Sequence, residues 1–177
     1  MKVYTEIATV VFLVDGNCIY LAPKKSDILK VSGDSLEESK LTLNGYGGER
    51  IESDGSVRDT AIRELEEESK VKASVQNLIP VAHISFHWKG DIGSVPDMDV
   101  YFFLLATYEG IPQETDEMGA PYTFKIDAIP YERMMKAYAL FLPRILKGEK
   151  VVGNIYFSHK NKEGNVLFVE REEEMNV

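Results

Sequence analysis

Six consecutive residues, Arg63-Glu64-Leu65-Glu66-Glu67-Glu68, constrain this chain more than any other feature. They lie in a stretch, residues 57–70, whose periodicity predicts a helix capped from the Ser53-Asp54-Gly55-Ser56 turn. At ~100° per residue, Val57, Ala61 and Leu65 form one apolar sector. Glu68 falls inside that sector, Glu64 at its edge and Glu67 beside them. Glu66 points the opposite way, as acidic residues on a solvated helix face do. Carboxylates turned toward a core are costly unless they are paired or bound to metal. Glu64 and Glu68 are one helical turn apart, so their carboxylates can converge. A divalent cation relieves the resulting repulsion, and Mg²⁺ or Mn²⁺ favours oxygen donors of this kind. Arg63 and Glu67 share the same spacing, so Arg63 is expected to hold Glu67 in one orientation.

Charge points the same way. The net charge of −9 disfavours a protein that grips duplex nucleic acid, which rests on neutralising phosphates with Lys and Arg. A small anionic substrate is still accommodated if a bound cation supplies the local positive charge. The 177 residues, 44% hydrophobic and 28% charged, suit one soluble domain over 1–177. No apolar run approaches the roughly 18 residues of a membrane span, and Met1-Lys2-Val3-Tyr4-Thr5-Glu6 lacks the apolar region of a secretion signal. Cys18 is the single cysteine, which excludes an internal disulfide and a cysteine zinc site and fits a cytoplasmic location.

Strand patterns dominate the rest. Residues 7–15 and 18–22 read as a hairpin joined at Gly16-Asn17. Residues 23–40 read as a polar loop containing Ser32-Gly33-Asp34-Ser35, with 41–43 a short strand after it. Residues 75–88, 98–108 and 122–125 read as strands, and 151–158 with 165–170 as a final hairpin around residues 161–164. A second helix is expected over 131–147, kinked or ended early by Pro143. The result is an α+β chain with a mixed sheet and helices on its faces.

Asn44-Gly45-Tyr46-Gly47-Gly48 precedes the acidic helix, and its glycines let backbone come close to a metal or to phosphates. The carbonyl of Gly47 is a candidate ligand beside Glu64 and Glu68. Together these segments resemble the Nudix box of the MutT-like hydrolases. Arg63 to Glu68 reproduces its R-E-U-x-E-E core, U being aliphatic, and Val71 its last aliphatic position. The loop carries one extra residue, which puts the first acidic position at Asp54, and Lys70 stands where the pattern has glycine. The likeness extends over residues 7–157 and is nearest to the 8-oxo-dGTP diphosphatase branch, through Asn44 to Gly48, Met98-Asp99-Val100, Glu114-Thr115-Asp116-Glu117-Met118 and Ile129-Pro130-Tyr131 with Met134.

The resemblance implies a Nudix fold, an α/β/α sandwich around a mixed sheet, and cleavage of a nucleoside triphosphate to a monophosphate and pyrophosphate. It makes Glu117 a further metal or catalytic acid, Asn44 a base contact and Lys24 a residue near the phosphates. Gly48 and Met135 complete the expected substrate side. The likeness fails at the base pocket. Where that branch has a tryptophan and, after a proline, two aspartates, this chain has Met135, Lys136, Ala137 and Tyr138. The general base is left open among Glu67, Glu68 and Glu117. Two other readings stay open: hydrolysis of ADP-ribose or another nucleoside diphosphate derivative, and a nucleotide-binding module without turnover. His83 and His87 read as surface or pocket-lining residues and not as a metal pair. Phe86 and Trp88 are candidates to stack on a base, core packing being the commoner fate of such rings.

Overall fold

The apolar, β-branched run near the start of the chain forms β1 (Glu6–Asp15), whose side chains alternate between two sheet faces. Ala8 and Phe12 enter one apolar cluster, Val11 and Leu13 the other. Burial on both sides explains why the run is almost continuously apolar. The structure, a computed structural model, describes residues 5–26, 42–88, 92, 94–157 and 166–177. Ser32-Gly33-Asp34-Ser35, Leu41, His159 and the expected turn at 161–164 lie outside the described residues.

β1 turns at Gly16-Asn17 into β2 (Cys18–Pro23), with Leu13 opposite Tyr20. β3 (Leu43–Asn44) pairs with the end of β2. Then come α1 (Val57–Ser69), β4 (Ile79–His87), β5 (Met98–Leu105), β6 (Tyr122–Lys125), α2 (Tyr138–Ile145), β7 (Val151–Phe157) and β8 (Val166–Glu170). The strands follow the order β3-β2-β1-β5-β4-β7-β8, with β6 also on β2. β1 with β5 and β4 with β7 are parallel, and the other pairs are antiparallel, so the sheet is mixed as expected. Ala61 and Leu65 of α1 share a cluster with Val11, Leu13 and Phe103. Phe141, Leu142 and Ile145 of α2 share the other with Phe12, Ile84 and Phe102. The helices thus cover opposite faces, the α/β/α arrangement that the sequence resemblance implies.

α1 starts where expected, with the Ser56 hydroxyl accepting from the Asp59 N–H at 3.1 Å. It ends at Lys70, which adopts a left-handed φ of 64° while its N–H donates to the Glu66 carbonyl. Other boundaries differ. The helix expected over 131–147 spans only Tyr138–Ile145, and Tyr131–Arg133 is a separate 3₁₀ turn. Between them Met134 is extended, with φ −113° and ψ 166°, and its side chain is buried. Packing that side chain takes the backbone out of the helical path. Pro143 stays inside α2, two residues before its end, although it has no N–H to donate to the Ala139 carbonyl. β4 begins at Ile79 after a 3₁₀ turn over Val75–Asn77, and β5 ends at Leu105, short of Tyr108. Among the described residues no helix is long and apolar enough to cross a membrane.

Candidate active site

α1 brings the acidic side chains, and the glycine segment brings backbone to meet them. Residues 45–49 run beside β1: the Thr9 N–H donates to the Gly48 carbonyl at 2.9 Å, and Tyr46 and Val11 exchange two hydrogen bonds. Only glycine fits this approach. A Cβ on Gly47 would lie 1.9 Å from the Thr9 carbonyl oxygen, and one on Gly48 would lie 2.5 Å from Glu64 Oε2. With the loop so close, the Gly47 N–H donates to Glu68 Oε2 at 2.7 Å. Lys24, beyond the end of β2, donates to the Gly47 carbonyl at 3.2 Å and has Nζ 3.7 Å from Glu68 Oε1.

Arg63 organises the outer side of this cluster. Its Nε and Nη2 bind both oxygens of Asp54 at 2.9 Å. Its Nη1 reaches Glu64 Oε1 at 2.6 Å and Glu67 Oε2 at 3.1 Å, and its Nη2 donates to the Glu49 carbonyl at 3.0 Å. The expected hold on Glu67 is present, and Glu67 is one of four residues that Arg63 binds. Asp54 also accepts from the Thr60 hydroxyl at 2.9 Å and the Ile51 N–H at 3.1 Å. Both of its oxygens are thus engaged within the protein, and Arg63 keeps its carboxyl well below the usual carboxylate range. The acid displaced by the longer loop serves Arg63.

Burial differs sharply along one helical turn. Glu68 is 3% exposed, Glu64 is half-buried, and Glu67 and Glu117 are exposed. Burial pushes Glu68 up to about 7 against the pull of Lys24 and the Gly47 N–H, and repulsion from Glu64 and Glu117 adds to the rise. Glu64 is raised by burial first, with Arg63 opposing and Glu67 and Glu117 adding. Carboxylate oxygens plus the Gly47 carbonyl are the donor set a hard divalent cation takes. Glu64 and Glu68 are raised because burial strips water from their charged forms, a cost that such a cation would offset. Among the described residues no three acidic, histidine or cysteine side chains already converge into a complete cation site. Arg63 and the Gly47 N–H hold the carboxylates instead.

One cavity of about 990 Å³ opens from this cluster. Eight of the ten residues expected at the site line it: Lys24, Asn44, Gly47, Gly48, Glu64, Glu68, Glu117 and Met135. Arg63 and Glu67 stand behind it and reach it through the Arg63–Glu64 contact. Glu117 is tied down through its carbonyl, which accepts from the Lys25 N–H at 2.8 Å. The opposite lining includes Phe86, Trp88, Met98, Phe102, Met134 and Tyr138. Met134 and Phe102 carry no local signal of a site role, because separate elements bring them together.

The histidines need correction. Phe86 and Trp88 line the cavity, so the alternation of β4 turns His87 to the other face. There it is buried at 1% exposure, bonded to Ser94 Oγ and Asn154 Oδ1 at 3.0 Å each, and stacked on Tyr156. His83 shares that face, half-buried, stacked on Tyr101 and 3.4 Å from Asp99 Oδ1. Neither lines the cavity.

No protein-family profile matches the sequence. A stretch of 114 residues, 64% of the chain, is 36% identical to an oxidized purine nucleoside triphosphate hydrolase of Danio rerio and covers 69% of it. Among solved structures, a MutT protein from Bacillus halodurans matches with a TM-score of 0.71 over 96% of this chain and 99% of its own, at 18% identity. A NUDIX hydrolase from Nitrosomonas europaea matches with a TM-score of 0.65 over 88% of this chain and 81% of its own, at 14% identity.

Proposed function

Because the chain belongs to the MutT/Nudix hydrolases, we propose that it is a metal-dependent pyrophosphohydrolase with its active centre at the α1 end of the cavity. Its substrate in this reading is a nucleoside triphosphate, an oxidised purine such as 8-oxo-dGTP being the first to try, and its products are the monophosphate and pyrophosphate. The supporting observation is the pairing of buried Glu68 and half-buried Glu64 against the glycine loop, facing a cavity of about 990 Å³.

Glu64, Glu68 and the Gly47 carbonyl would hold the divalent cation, Mg²⁺ first and Mn²⁺ as the substitute, with Glu117 completing the set. When bound, the cation neutralises phosphate oxygens and acidifies water. The protein's part is positioning and proton uptake. Arg63, itself fixed by Asp54, keeps Glu64 and Glu67 in one orientation. Lys24 faces the Glu68 carboxylate and carries a positive charge suited to a phosphate oxygen. Water attack on phosphorus needs a proton acceptor, and exposed Glu67 and Glu117 and buried Glu68 are the three available. Gly48 has no side chain to obstruct Glu64, and Asn44 offers an amide to the nucleoside. We read residues 1–177 as one hydrolase domain. The unpaired Cys18 suits a cytoplasmic location.

The test is pyrophosphate and phosphate release across a nucleotide panel that includes 8-oxo-dGTP, unmodified triphosphates and ADP-ribose, with and without Mg²⁺. Metal-dependent pyrophosphate release from a triphosphate is expected. No turnover of any nucleotide with either metal would sink the reading.

A further inference from the structure

α1 ends one residue after Glu68, and the last carbonyls of a helix have no donor within it. Two of these carbonyls recruit the segment that bears Glu117. The Ser69 carbonyl accepts from the Gln113 N–H at 3.0 Å, and the Glu68 carbonyl accepts from the Thr115 hydroxyl at 3.1 Å. The oxygen of half-buried Thr115 also accepts from the Met118 N–H at 3.1 Å and the Glu117 N–H at 3.4 Å. One donated and two accepted bonds are a hydroxyl's full capacity. The Thr115 N–H closes the turn on the Met118 carbonyl at 3.0 Å. Residues 115–118 thus fold around a single side-chain oxygen, and that oxygen reaches the Glu68 backbone.

The other side of the segment is fixed to the end of β2. Met118 bridges Lys24 as an antiparallel pair, the Gly119 N–H donates to the Pro23 carbonyl at 2.8 Å, and the Lys25 N–H donates to the Glu117 carbonyl at 2.8 Å. Among the described residues, the hydrogen bonds from this segment to the end of α1 come from Gln113 and Thr115. Gln113 lies four positions ahead of Glu117, whereas Thr115 holds α1 and the Glu117 N–H with one atom. The Glu117 side chain is exposed, yet its charge is felt at both Glu64 and Glu68.

We infer that Thr115 is a positioning residue: its hydroxyl fixes Glu117 against the Glu68 turn of α1, so that a loop carboxylate and the helix carboxylates meet one divalent cation. The inference rests on the reading that these carboxylates hold that cation. An exposed glutamate on a loop gives up backbone and rotamer freedom when it joins a cation, and a backbone already held has less to lose. Mg²⁺ also takes oxygen ligands in a near-octahedral set at about 2.0–2.1 Å, so small displacements of one ligand weaken binding.

Thr115→Val keeps the branched side chain and removes the hydroxyl, and Thr115→Ser keeps the hydroxyl. The probe is Mn²⁺ alone, without nucleotide, titrated while electron paramagnetic resonance follows the free ion. Thr115→Val should weaken binding about tenfold or more, and Thr115→Ser should stay within about threefold of wild type. In a Glu117→Gln background the valine change should shift Kd less than about twofold, because the carboxylate it positions is gone. A loss that came only from a loosened fold would persist in that background. Thermal melts confirm that each variant is folded, and Thr115→Ala enters the same cycle if valine unfolds the chain. Unchanged Mn²⁺ affinity in the variant without the hydroxyl, a serine variant as weak as valine, or an undiminished loss on top of Glu117→Gln would each overturn the inference. A wild type that binds Mn²⁺ but cleaves no nucleotide removes the hydrolase reading alone, and the titration still decides on Thr115. A wild type that binds no Mn²⁺ removes both.

Discussion

The two ends of the cavity are built in opposite ways. At the α1 end the lining is charged, and most of it comes from one stretch of chain, residues 47–68. Its side chains hold one another through ion pairs and backbone donors: Arg63 with Asp54, Glu64 and Glu67, and Glu68 with Gly47. On the α2 side the lining is mostly apolar and scattered, with Phe86 and Trp88 at β4, Phe102 on β5, and Met134, Met135 and Tyr138 around the start of α2 beside the charged Glu132 and Lys136. The first end keeps a buried carboxylate whose charged form is disfavoured. The second end is a wall of the hydrophobic core and stabilises the fold as it shapes the pocket. A change at the first end should therefore cost turnover more than stability, and a change at the second should cost binding.

Glu68→Gln tests the difference hardest. Turnover should fall on the order of 10²-fold or more in a pyrophosphate-release assay. The metal-free variant should nevertheless melt no lower than wild type at pH 8. The sign follows from linkage: Glu68 is raised from its ordinary 4.5 to about 7, so its favourable contribution is full below 4.5 and lost as pH rises past 7. Glutamine removes a charge that the metal-free fold disfavours at that pH. A variant that loses activity only by unfolding would erase the contrast between the two ends.

Asp54→Asn removes the anchor of Arg63. It should lower stability by about 2–3 kcal/mol at pH 7, as breaking a largely buried pair does. Asp54 is held below its ordinary value, so its contribution is present above the unfolded value of about 3.9 and lost as pH falls through the folded one. The gap between variant and wild type in urea melts should therefore narrow below about pH 4. A gap independent of pH would show that the carboxylate's charge is not what matters.

On the other side of the cavity, Met135→Ala should raise KM for a nucleoside triphosphate about tenfold. That corresponds to about 1.4 kcal/mol for a partly buried thioether side chain. Its kcat should stay near wild type, in contrast to Glu68→Gln. A fall in kcat with KM unchanged would move Met135 to the chemical end. The smallest change is a control outside both ends. Lys70→Gly relieves the left-handed φ of 64° and should stabilise the protein by about 1 kcal/mol in thermal melts, with kcat/KM unaltered.

The acidic helix was readable because its information is local. Residues four apart share a helix face whatever the rest of the chain does, so the inward Glu64 and Glu68 and the outward Glu66 follow from spacing alone. The strands were readable by type, and their ends were less so. Met134 leaves the helical path because its side chain has a place in the core, and no periodicity announces that. His87 shows the same limit in a different form. Alternation puts it opposite Phe86 and Trp88, but which face held the cavity depended on where α2 packed.

Amino-acid order by itself determined the acidic turn: its helix, its inward carboxylates, the arginine that steadies them and the glycines that let backbone come near. Hydrogen bonds and side-chain spacing over a few residues suffice for that. Tertiary structure alone decided what Asp54 serves and which rings line the cavity. Those facts depend on strands and turns tens of residues apart meeting around one space, and contact between distant segments leaves no period in the chain to read.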